Sequence, residues 1–163
     1  MIAGLWTMLT IVLYALQTSL LTFVNFEGFS ANLMLLLIVS VAFIRGHKYG
    51  VFFGFIAGLL QDLTSGSYFG IATFSYMTIG FAFGKFSVNL FREQALLPVI
   101  GSIPALAFHF AIIVCFLFLL DKQIDAVKLW RMDFWPTAIM QVVLAYPVHK
   151  LVCELNEYAK KHR

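Results

Sequence analysis

Long apolar stretches alternate with short polar breaks along this chain, and the alternation predicts helices buried in a bilayer. A spanning helix needs about 20 mostly apolar residues. Residues 2–24 meet that length and break at Asn25-Phe26-Glu27-Gly28. Residues 31–44 are apolar but short, and Arg45-Gly46-His47-Lys48 ends them. Residues 50–60 are shorter still and stop at Gln61-Asp62. Residues 69–90 and 94–120 are full-length, the first closed by Arg92-Glu93 and the second containing Pro104. A charged segment of mixed sign covers 121–133, residues 134–152 form the last span, and the tail from Glu154 is polar.

The pattern predicts an all-α, polytopic membrane protein of about six transmembrane helices, in one integral membrane domain over residues 1–163. The two short segments read as real helices joined by a tight basic turn; a single helical hairpin that stops short of crossing is the alternative. The N-terminal stretch has no basic region before it and runs too long for a signal sequence, so it reads as a retained first helix.

Composition strengthens this reading. Hydrophobic residues make up 61% of the chain and charged residues 12%, against roughly 25% charged in an average soluble domain. One soluble core of this length could not hide so much apolar surface, whereas a bilayer is itself the apolar solvent. The net charge of +3 is too small to imply nucleic-acid binding, but its distribution sets an orientation. With an inside N-terminus, the inner loops hold Arg45, Lys48, Lys85, Arg92, Lys150, Lys160, Lys161 and Arg163. The outer loops hold only Lys122, Lys128 and Arg131, accompanied by Asp121, Asp125 and Asp133. Both termini are therefore expected in the cytoplasm. On this topology Cys115 and Cys153 lie near opposite faces, too far apart for a disulfide.

In the outer loop, Ile124, Val127, Trp130 and Phe134 recur at intervals of three to four. That spacing suits an amphipathic helix on the outer surface, with Trp130 and Trp135 in the aromatic belt; an ordinary polar loop with two tryptophan anchors fits as well.

The sharpest motif is glycine spacing. Gly46, Gly50, Gly54 and Gly58 recur every four residues, Gly80 and Gly84 repeat the interval, and Gly66 and Gly70 show it between them. Four-residue spacing puts helical glycines on one side, where backbones can approach closely in lipid. The face serves either internal packing or a partner's transmembrane helix. Asp62 follows Gly58 by four residues and shares that face if the helix continues. An acid at membrane depth is costly, so it is expected either to bond donors in the Thr64-Ser65-Gly66 turn or to contact an ion or partner. His109 lies inside the fifth span, five residues after Pro104, and no acid shares its helix at a relay-like spacing. Gln17, Thr18, Ser19, Ser75, Thr78 and Gln141 are candidates for bonds across helices.

No nucleotide-binding loop, HExxH, paired-cysteine metal pattern or G-x-S-x-G elbow occurs. The carboxylates scatter among loops, and no constellation holds reacting groups together. These residues predict neither a catalytic site nor a bound cofactor.

The stretch from Ala31-Asn32 through Leu37, the run from Gly50 through Gly54 and Gly58 to Gln61-Asp62-Leu63, then Ser65-Gly66, Gly70, Gly80 and Gly84-Lys85, resemble the rod shape-determining MreD family. Length, span number and the short basic tail agree. The resemblance implies a non-enzymatic subunit of the bacterial inner membrane, working with MreC, MreB, RodA and a class B penicillin-binding protein in cell-wall elongation. It also implies a bundle like the membrane substrate-binding subunits (S components) of energy-coupling-factor vitamin transporters, which keeps a vitamin-binding subunit as the alternative. The stretch Leu5-Trp6-Thr7-Met8-Leu9-Thr10-Ile11-Val12 of the first helix, however, lacks the pair of alanines spaced by four that such subunits use to dock their energy module. For MreC, the expected contact set is Gly50, Gly54, Gly58, Gly80 and Gly84, with Asp62, Gly66 and Trp130 toward the outer end.

Overall fold

A computed structural model of the chain describes residues 2–23, 32–65, 69–86, 97–120 and 134–161. Among the described residues the regular structure is helical: α1 (Ile2–Phe23), α2 (Leu33–Arg45), α3 (His47–Ser65), α4 (Ile71–Phe86), α5 (Leu97–Leu119) and α6 (Trp135–Lys161). The segment 121–133, expected as a surface helix or polar loop, lies outside the described residues.

Each helix runs opposite to the one before it. Gln17, late in α1, meets Gln61, late in α3, and Met34 at the start of α2. Arg45, ending α2, meets Trp6 early in α1 and Asn156 late in α6. Gly101, early in α5, lies against Phe43 and Phe83 at the ends of α2 and α4, while Phe116 near its far end stacks edge-on with Phe74 at 5.7 Å.

Helix α2 is the axis of the bundle. Every residue from Leu33 to Phe43 is buried, and α1, α3, α4, α5 and α6 all pack against it. A helix apolar on all sides belongs either in a core or in lipid; here it is the core. Its 13 residues span only about 20 Å, less than the ~30 Å of a hydrocarbon core. The short length is tolerated because neighbouring helices cover its ends. Asn32 caps the first turn, its side chain accepting the Leu35 N–H at 3.0 Å, and Gln17 Oε1 accepts the Met34 N–H at 3.1 Å. Backbone groups at membrane depth need such partners.

The turn between α2 and α3 is a single residue, Gly46, at φ 87°. Side chains rarely adopt that conformation. Its N–H closes α2 onto Ala42 O at 2.9 Å. Helix α3 is longer than the apolar run 50–60 suggests, with 19 residues. His47, Lys48 and Tyr49 begin it and Gln61 to Ser65 finish it, because polar residues continue a helix wherever they reach its ends or a buried partner. Helix α6 likewise continues past residue 152 to Lys161. Helix α5 continues through Pro104, whose side lies outward.

Candidate functional site

The four-residue glycine spacing positions the closest helix pair in the molecule. Along α3, Gly50, Gly54 and Gly58 each face the α4 backbone. A Cβ added at Gly50 would lie 2.5 Å from Gly80 O and 2.9 Å from the Ala42 side chain. At Gly54 it would lie 2.6 Å from Tyr76 O, and at Gly58 2.8 Å from Thr73 N. Gly80 faces Gly50 in return, and Gly84 faces the backbone of His47. Backbone meets backbone along most of α4, a geometry only glycine permits. The α4 chain therefore fills the space that a partner's helix would need at Gly50, Gly54, Gly58, Gly80 and Gly84. Gly46 shares the interval but sits in the turn, outside the helical face.

Asp62 completes the same face one turn beyond Gly58. It is buried, at 5% exposure, yet bonded on both carboxylate oxygens. Oδ1 accepts the Ala72 N–H at 3.0 Å, and Oδ2 accepts the Thr73 N–H at 2.9 Å and the Thr73 hydroxyl at 2.5 Å. Ala72 and Thr73 lie in the first turn of α4, whose N–H groups have no partner within the helix. Gly70 precedes that turn at φ 101° and has no side chain with which to cap it. Asp62 supplies the missing cap from the neighbouring helix, where the helix dipole also favours negative charge. The donors described are thus those of the next helix, while the Thr64-Ser65-Gly66 turn expected from sequence runs beyond the described residues. Gly66 and Trp130 lie outside the described residues.

A polar network extends from this cap across the same end of the bundle. The Tyr14 hydroxyl bonds Thr64 Oγ1 in a close contact. Gln17 Nε2 donates to Gln61 Oε1 at 3.3 Å. The Tyr76 hydroxyl donates to Asn32 Oδ1 at 2.9 Å. These bonds join α1 to α3, and α2 to α4.

The opposite end is closed by Arg45. Its guanidinium carbon stands 4.4 Å from the centre of the Trp6 ring and 5.3 Å from that of Tyr49, and its Nε donates to Asn156 Oδ1 at 2.9 Å. Stacking and hydrogen bonding together let a cation sit half-buried. One side chain from α2 thereby ties α1, α3 and α6. Sequence reasoning counted Arg45 only as an inner charge and did not single out Trp6, Tyr49 or Asn156.

Deeper in the bundle, His109 Nδ1 and Ser75 Oγ are 2.7 Å apart, and the His109 ring lies against Tyr76 with centroids at 5.1 Å. Thr18 and Thr78 donate to Tyr14 O and Phe74 O in their own helices. Gln141 is fully buried on α6 with both amide atoms unbonded among the described residues. No group of three metal-ligating side chains forms among the described residues. Cys115 and Cys153 are both free.

The described residues thus provide a backbone-tight helix pair, a shared cap and a cationic clip. A family model described as rod shape-determining protein MreD matches residues 2–156. The chain belongs to the MreD family. No curated protein and no solved structure matches it. Membership makes the chain a membrane protein of a family that determines rod shape, a structural family and not a known enzyme family. It also favours the shape-determining reading over the vitamin-transporter alternative. Two described helices are long and apolar enough to cross a membrane, over Ile100–Leu119 and Trp135–Ala159. Helix α2, the short one, takes the protected axial position in this MreD-family bundle.

Proposed function

We propose that the chain is a non-catalytic, multi-pass subunit of the bacterial cell-elongation complex in the inner membrane. It crosses the membrane six times as one S-component-like domain with both termini in the cytoplasm. It holds the transmembrane helix of MreC and so helps to organise MreB, RodA and a class B penicillin-binding protein around peptidoglycan synthesis. The observation that carries this reading is the family match over residues 2–156. Two features of the bundle support it. The six helices alternate in direction, as six successive crossings require. The polar side chains at both ends bond one another and build the scaffold.

In this reading MreC docks on the outward face of α1. The glycine face is closed by α4, while among the described residues α1 packs chiefly against α2 and α3. Met8, Ile11, Val12, Ala15, Leu16 and Ser19 point away from the bundle. Ala15 and Ser19 are small residues four apart, the spacing that brings two membrane helices together. Depleting the protein in its own bacterium tests the function: rods should round up, and wild-type protein should restore them. Cells that stay rod-shaped after depletion would refute it.

A further inference from the structure

We propose that the corner formed by the start of α3 and the end of α4 binds the headgroup of an anionic phospholipid. The proposal rests on the inner-membrane orientation given above. Gly84 lies directly on the backbone of His47, so the residues that follow them, Lys85 and Lys48, stand at the same end of the helix pair. Both lysines are exposed. No carboxylate lies in α1, α2 or α4, and the one acid of α3, Asp62, is committed at the far end of that helix. The corner therefore carries two exposed lysines on helices that bring no acid near them.

Helix α6 makes a contrast. Its lysines Lys150, Lys160 and Lys161 each stand three or four residues from an acid, Glu154 or Glu157, on the same helical side. Acids are interleaved with the lysines of α6, whereas none lies within a turn of Lys48 or Lys85 on α3 and α4. The surroundings of the corner fit a lipid and not a soluble polyanion. Phe81 lies one turn below Lys85 and edge-on to the His47 ring at 6.0 Å, and it is exposed, as are Tyr49, Phe52 and Phe86. A cationic rim above an aromatic apolar wall matches a phosphate headgroup with its acyl chains, and each lysine near an anionic surface adds favourable attraction. The long lysine side chains reach the headgroup level from helices that end there.

The test uses the full chain in detergent, with phosphatidylglycerol or phosphatidylcholine added, read by native mass spectrometry and thermal melting at low salt. Phosphatidylglycerol should bind and raise the melting temperature, and phosphatidylcholine should not. Lys48→Gln with Lys85→Gln should weaken phosphatidylglycerol binding roughly thirty-fold, with the melt in phosphatidylcholine unchanged. Lys150→Gln with Lys161→Gln should leave binding intact, and arginine at positions 48 and 85 should retain it. Equal response to the two lipids, or equal phosphatidylglycerol binding by the Lys48/Lys85 variant and wild type, would overturn the proposal. Stabilisation by polyglutamate without any response to phosphatidylglycerol would also overturn it, assigning the corner to an acidic protein segment. Because detergent has no sidedness, failure here is separate from failure of the cellular orientation.

Discussion

Replacing Gly54 by alanine tests the α3–α4 packing with a single methyl group. The added Cβ would lie 2.6 Å from Tyr76 O, 2.8 Å from Tyr76 C and 3.0 Å from Met77 N, where ordinary contact begins at 3.4 Å. These neighbours are backbone, so no side chain can turn aside. The two helices must separate by about 1 Å, and a gap of that size forfeits a quarter to a half of each contact along the face. Overpacking of this kind costs about 1–3 kcal/mol, while alanine regains up to about 1 kcal/mol of helix propensity. The net expectation is a loss of about 1–2 kcal/mol. Gly54→Leu has no such escape and should yield little folded protein. Melting followed by size-exclusion chromatography in detergent reads the effect, with Phe55→Leu, on the outward side of α3, as the control. Gly54→Ala and Gly58→Ala both melting at or above the wild-type temperature would refute the backbone-contact reasoning.

Three further outcomes follow from the same structure. Asp62→Ala strands the Ala72 and Thr73 N–H groups and should cost about 2–3 kcal/mol, with Asp62→Asn milder because one amide oxygen still accepts; equal melting of Asp62→Ala and wild type would contradict the cap. Arg45→Lys keeps the charge but loses the Nε bond and the planar stacking, so it should destabilise, and a double-mutant cycle with Asn156→Ala should show coupling of about 1 kcal/mol; additive losses would disprove the clip. Reporter fusions after Arg45 and Arg163 should read cytoplasmic and one near Asp125 external, and a cytoplasmic signal at Asp125 would overturn the six-span topology.

The helices were legible because apolar runs and glycine spacing are local properties. Their ends were less so: His47-Lys48-Tyr49 and Gln61-Asp62 look like breaks, yet both lie inside α3, because apolar content measures contact with lipid and not helicity. The shared face of Gly50, Gly54, Gly58 and Asp62 could be read from a four-residue interval alone. Which helix covers that face could not. A glycine stripe fits any close backbone, and Asp62 finds its donors ten and eleven residues along the chain. Arg45 shows the same limit more sharply, since Asn156 stands 111 positions away and no local pattern links them. The axial place of α2 was hidden for a different reason: a helix apolar all round looks the same in sequence whether lipid or protein surrounds it. Asn32 did carry a readable signal, a capping residue directly before an apolar run.

The proposed function requires this protein to hold another membrane helix, that of MreC. Tagged protein carrying a cysteine at Ala15 or Ser19, purified in mild detergent from cells whose MreC carries cysteines along its transmembrane helix, measures this most directly. MreC should copurify and crosslink to positions 15 and 19, with no crosslink from a cysteine at Gly54. Absence of MreC from the purified complex, while the protein itself remains folded, would contradict it.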